Sequence, residues 1–190
     1  MAIAQNRITD QVAVTVVRQH LFAVTPGEGL IKKDLSAGED VIAIEARGLN
    51  ALVQTSSRLL GFSGQVLRWS EQDIDIRENV IERRITSQLI LVRTDKRLYG
   101  FQGQIGHWSK EDLGPQEEQR KVLVGDNVAV VVTERRALAF SALTGGFFTQ
   151  ELQIGEEIED AIANDNIVIL STTSRRLIFR SQLAIWAELR

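Results

Sequence analysis

Five apolar runs rich in β-branched residues punctuate the chain: VAVTVV from Val12, ALVQT from Ala51, LILVRT from Leu89, VAVVVT from Val128 and IVILST from Ile167. Each is too short for a stable helix, and its Val, Ile and Thr content fits a buried strand. A tight turn carrying arginine follows, then a second apolar stretch, RLLGF, RLYGF, RALAF or RRLIF in the later copies, which predicts a hairpin. A third stretch holds an aromatic residue (VLRWS, IGHWS, GFFTQ, AIWAE), and a fourth alternates polar and apolar positions, as in NVIERRI and EIEDAI.

This unit returns at a constant interval. Phe62, Phe101, Phe140 and Phe179 stand 39 apart, as do Trp69, Trp108, Phe147 and Trp186, and also Thr55, Thr94, Thr133 and Thr172. One register shared by three marker sets identifies an array of equivalent supersecondary units. A shorter first copy runs from Asp10, with Leu30 or Ile31 at the aromatic position. The last copy stops at Leu189 and Arg190 after its aromatic strand, whereas IAQNRIT at residues 3–9 matches VIERRIT at residues 80–86. The pattern predicts a ring of five sectors with the apolar runs innermost. The N-terminal strand would close it by joining the last sector, covering edges that otherwise invite aggregation.

In repeat design the whole chain resembles the β-propeller superfamily. The resemblance implies an all-β, five-bladed β-propeller of ~39-residue repeats, with residues 1–190 as one domain and the ring closed by the N-terminal strand. The Gly-His and Trp-Asp pairs of WD40 blades are missing, the double glycine of kelch repeats occurs only at Gly145 and Gly146, and no tachylectin-type motif is present. No characterised family within the superfamily is therefore identified.

Composition narrows the chemistry. With 190 residues, 44% hydrophobic and 25% charged, the chain has the balance of a globular domain. A net charge of −3 gives no reason to expect nucleic acid as a partner, since non-specific affinity rests on many Lys and Arg contacts to phosphates. The absence of cysteine removes disulfides, thiolate catalysis and cysteine-based zinc sites. MAIAQNRITD lacks the pattern of a secretory leader, and no window suits a membrane span, so a cytoplasmic protein without a membrane partner is expected.

Two recurrent sets are candidate ligand groups. Arg58, Arg97, Arg136 and Arg175 recur at the first hairpin turn and would gather on one face, as a basic ring for an acidic or phosphorylated ligand or as solvated turn residues. Acids expected on the same face, among them Glu71, Glu111, Glu117 and Glu151, would neutralise such a ring. On the opposite face Gln65, Gln104 and Gln182 occupy equivalent turns, where an uncharged amide can donate to and accept from a sugar or peptide. The aromatic series could stack on sugars or fill the wedges between blades.

Catalysis finds little support. The apolar runs contain no Asp or Glu, and threonine without a positioned base is a poor nucleophile. The acidic group Glu156, Glu157, Glu159 and Asp160 falls on an outer strand by register and reads as a solvated edge. His20 and His107 lack partners at metal-ligand spacing, and no nucleotide-binding loop follows a strand, so neither metal nor cofactor is expected. The leading expectation is a non-catalytic binding or scaffold propeller with a protein or acidic macromolecular partner. The alternative is a small multivalent carbohydrate-binding lectin.

Overall fold

The computed structural model describes residues 6–9, 11–115 and 117–189, and its regular elements are all strands. The first sheet holds β1 (Asn6–Ile8), β2 (Ala13–Val17), β3 (His20–Thr25) and β4 (Glu28–Asp34). The second holds β5 (Val41–Arg47), β6 (Asn50–Thr55), β7 (Arg58–Ser63) and β8 (Arg68–Asp73). β9 (Val80–Ile85), β10 (Leu89–Thr94), β11 (Arg97–Gln102) and β12 (His107–Asp112) form the third. The fourth contains β13 (Gln119–Val124), β14 (Val128–Thr133), β15 (Arg136–Ser141) and β16 (Phe147–Glu151). β17 (Ile158–Ala163), β18 (Ile167–Thr172), β19 (Arg176–Arg180) and β20 (Ile185–Leu189) complete the fifth. Each sheet is an antiparallel meander paired in chain order, the design of a β-propeller blade.

The blade phase differs from the sequence expectation. The alternating stretch represented by VIERRI opens a blade as β9 instead of ending one, and the N-terminal strand does likewise: Asn6, Arg7 and Ile8 pair with Thr15, Val14 and Ala13 of β2. It does not join the last sheet, whose order is β17, β18, β19, β20. The cause is local. The Thr9 N–H donates to the Val12 carbonyl at 2.8 Å while the Thr9 hydroxyl accepts the Gln11 and Val12 N–H groups, closing a turn too short for β1 to go elsewhere. Residues 3–5 of the expected closing strand lie outside the described residues. The apolar runs are second strands with a neighbour on each side, not edges, and this is why β6 and β14 are buried throughout.

Alternate residues of each second and third strand enter opposite gaps between sheets. Ala51, Val53, Leu60 and Phe62 face the first sheet, whereas Leu52 and Leu59 face the third. Four apolar clusters fill the four gaps between consecutive sheets. Within them a large residue meets a small one: a Cβ on Gly61 would lie 2.7 Å from the Phe101 ring, and one on Gly100 would lie 2.4 Å from the Phe140 ring. Gly100→Ala is accordingly expected to cost about 1–3 kcal/mol through overpacking. Gly29→Ala, with nothing within 4 Å, should leave the thermal midpoint nearly unchanged in the same melting experiment.

The aromatic markers are structural. Phe62, Phe101, Phe140 and Phe179 pair with Trp69, Trp108, Phe147 and Trp186 at centroid distances of 4.9–5.2 Å. Trp69, Trp108 and Trp186 donate their indole N–H to the Ile31, Ser70 and Phe148 carbonyls of the preceding sheet at 2.9–3.2 Å. In the first sheet Ile31 lies opposite Ala23 as Ser70 lies opposite Gly61, so Leu30 holds the aromatic position.

Candidate functional site

In these meanders the turns between first and second strands and between third and fourth strands emerge at one end. The turns between second and third strands, together with the links between sheets, emerge at the other. The predicted arginines lie at the linker end and the predicted glutamines at the turn end.

At the linker end each arginine is held by a buried glutamate 19 residues earlier. Arg58 forks onto Glu39 at 2.8 and 2.7 Å, Arg136 onto Glu117 at 2.9 and 3.0 Å, and Arg175 onto Glu156 at 2.8 and 2.9 Å. The glutamate side chains are 1–3% exposed. Thr55, Thr133 and Thr172 donate their hydroxyls to the same carboxylates and accept the arginine backbone N–H groups, tying the hairpin turn into the cluster. The third blade varies the theme: Arg97 reaches Glu78 at 2.9 Å, and the Tyr99 hydroxyl donates to the other carboxylate oxygen at 2.8 Å. Burial, with Glu78 alongside, pushes the Tyr99 hydroxyl up to about 12.

Electrostatics explains how these carboxylates stay charged. Burial would push Glu39 and Glu117 up, but hydrogen bonds from arginine, threonine and a turn N–H outweigh it and hold both at about 2. At Glu156 the Arg175 hydrogen bond is the strongest influence and overcomes burial, again giving about 2. The arginines also bridge blades, since Arg58, Arg136 and Arg175 donate to the Asp34, Asp112 and Glu151 carbonyls at the end of the preceding fourth strand. Four guanidiniums turned inward onto carboxylates do not present a basic ring.

Glu156 corrects the sequence reading: it is buried, while its neighbours Glu157, Glu159 and Asp160 are exposed as expected. The missed signal was periodic, for Glu39, Glu78, Glu117 and Glu156 recur at the same interval as the arginines. Among the described residues the first blade has no counterpart cluster. Val17 and His20 flank its hairpin turn where Thr55 and Arg58 flank the next, and His20 instead meets Asp34 at 2.7 Å.

At the turn end Gln65, Gln104 and Gln182 are all exposed. A pocket of about 400 Å³ brings Gln104 and Gln182 together with Asp126, Asn127, Asp165 and Asn166, contributed by three consecutive blades; Gln65 lies outside it. The Asn127 amide donates to the Asn166 side-chain oxygen at 2.9 Å, and the Asn127 N–H donates to the Asp165 carbonyl at 2.8 Å, so one wall is preformed. The Asp-Asn pairs, repeated at 126–127 and 165–166, escaped the sequence reading although they too recur at the repeat interval. This rim can supply amide donors and acceptors together with two carboxylates.

No protein-family model matches this sequence, and no curated protein matches it. Solved propeller structures resemble it at low identity. The N-terminal domain of Nup159 is 12% identical with a TM-score of 0.39, the match covering 97% of this chain and 60% of that one. Prp20p from Saccharomyces cerevisiae, described with its binding properties to Gsp1p and histones, is 9% identical with a TM-score of 0.42, covering 92% and 56%. The WD40 domain of SCAP from fission yeast is 9% identical with a TM-score of 0.38, covering 97% and 55%. The chain thus spans little more than half the length of these proteins.

Proposed function

We propose that this chain is a non-catalytic binding propeller that engages a protein segment through the turn end of its third, fourth and fifth blades. The carrying observation is the shared pocket in which Gln104 and Gln182 meet Asp126 and Asp165. Interfaces are commonly anchored by arginine, but here the arginines serve as clamps that fix the blades, and the exposed hydrogen-bonding groups lie at the opposite end. The two carboxylates favour a partner segment bearing lysine or arginine.

The test is affinity capture with the wild-type protein beside a Gln104→Ala, Asp126→Ala, Gln182→Ala triple variant, followed by titration of the captured partner. At least a tenfold loss of affinity with an unchanged melting temperature is expected. Equal capture by both proteins refutes this reading.

A lectin role is the second reading, favoured by the amide-rich lining of the same pocket, because sugar hydroxyls need neutral donors and acceptors. A glycan array at high protein concentration separates the two. Binding there, lost in the triple variant, would replace the protein segment by a carbohydrate.

A further inference from the structure

The sheets at the two ends of the stack each have one face in an apolar cluster and one that is not. On the fifth sheet Val168, Leu170, Leu177 and Phe179 pack against the fourth. The other face presents a registered row, Ile162, Ile169, Ile178 and Ala187, running across all four strands. On the first sheet the outward row is Ile8, Ala13 and Val24, with Phe22 beside it. Ile162 is 60% and Ile8 78% exposed. Among the described residues hydrogen bonds join each sheet to the next, as Trp69 to Ile31 and Asn127 to Asn166, and none joins the first sheet to the last.

We propose that these two faces pair head to tail between copies of the chain, the fifth sheet of one against the first sheet of another. The four internal gaps show what such a face accepts. In them the position of Ile178 is held by Ala23, Gly61, Gly100 and Ala139, and the facing position by Phe62, Phe101, Phe140 and Phe179. At the two ends both sizes change in compensating directions: the small residue becomes Ile178, and the phenylalanine becomes Val24. Close packing needs the sum of the two volumes, and the exchange keeps that sum while making the two sizes similar.

Polar groups repeat the match. Ser63, Gln102 and Ser141 donate across their gaps to the Gly103, Leu143 and Ser181 carbonyls in the turn region of the next sheet. Arg180 follows at the next repeat, exposed and with a side chain that makes no hydrogen bond among the described residues. It supplies the donor for the turn after β3 of the second copy. A heterologous contact of this kind forms rings when the rotation closes and open chains when it does not.

Sedimentation velocity over a wide concentration range tests the assignment. Wild-type protein should grow in mass with concentration, while Ile178→Asp and Val24→Asp should each remain monomeric. Their equimolar mixture should form a dimer and nothing larger, because one keeps an intact first-sheet face and the other an intact fifth-sheet face. Arg180→Ala, on an exposed side chain, should weaken association about tenfold, the loss of one charge-assisted hydrogen bond, with an unchanged melt even if an aspartate variant misfolds. A monomeric wild type overturns the proposal, whether its faces stay bare or close on each other. So does association that survives either aspartate substitution, or a folded pair of variants that fails to form a dimer.

Discussion

Acidification from about pH 5 to about pH 2 is expected to unfold this protein, because three buried glutamates cannot be protonated without breaking their arginine clusters. Glu39, Glu117 and Glu156 are held at about 2 in the fold, against an ordinary 4.5. A lowered folded value means that the unfolded chain binds protons first as the pH drops. The stabilisation is therefore complete above 4.5 and is lost progressively down to about 2. At ~1.4 kcal/mol per pH unit each carboxylate contributes about 3 kcal/mol, and the three together about 9 kcal/mol. That is comparable to the whole stability of an ordinary domain, about 5–15 kcal/mol. Urea midpoints followed by circular dichroism at stepped pH measure this directly. A midpoint that stayed level between about pH 5 and pH 3 would show that the carboxylates do not link folding to protonation.

Glu156→Ala is expected to cost about 3 kcal/mol, the lower end of the loss on removing one partner of a buried pair, because Arg175 keeps Glu188 at 2.6 Å. In a protein of this size that lowers the melting temperature by roughly 6–12 °C. The substitution removes the bidentate partner of Arg175, whose side chain is 7% exposed, leaving it Glu188 as its carboxylate, and it takes the carboxylate acceptor from the Thr172 hydroxyl and the Gln153 turn N–H. Glu157→Ala, one residue along and exposed, is the internal control and should change stability by no more than about 0.5 kcal/mol. Because Arg175 also grips the Glu151 carbonyl of the fourth sheet, the fifth should loosen first, with amide exchange accelerating over residues 158–189 before the remainder. A Glu156→Ala, Arg175→Ala double variant should be less unstable than the sum of the two single losses, since it also removes the cation that has lost its buried partner. Strict additivity would show that the two residues do not act together.

Much of the fold was present in the sequence because repeats amplify local signals. Four strands per unit, the 39-residue interval and the aromatic series can all be read from hydrophobic alternation and spacing, and each corresponds to an element of the fold. The alignment of IAQNRIT with VIERRIT was sound as an equivalence, since β1 and β9 hold the same place in their sheets. What periodicity cannot supply is phase. A repeat may be divided at any of its turns without altering its spacing, and it was the Thr9 turn that bound β1 to β2 and set the division.

The candidate site was less legible for a related reason. Charge and position along the chain announce that Arg58 or Gln104 sits in a turn, but whether it faces solvent depends on what arrives from elsewhere. Glu39 comes from the preceding link and turns the Arg58 guanidinium inward, while turns from three blades converge to place Gln104 beside Asp126 and Gln182. Sequence alone thus determined that the chain forms repeated four-stranded blades, because strand formation and hydrophobic alternation act between near neighbours. Tertiary structure alone decided the boundaries of the blades, which charges are buried and which polar groups remain free. Those outcomes depend on desolvation and pairing between residues separated by whole turns and whole blades.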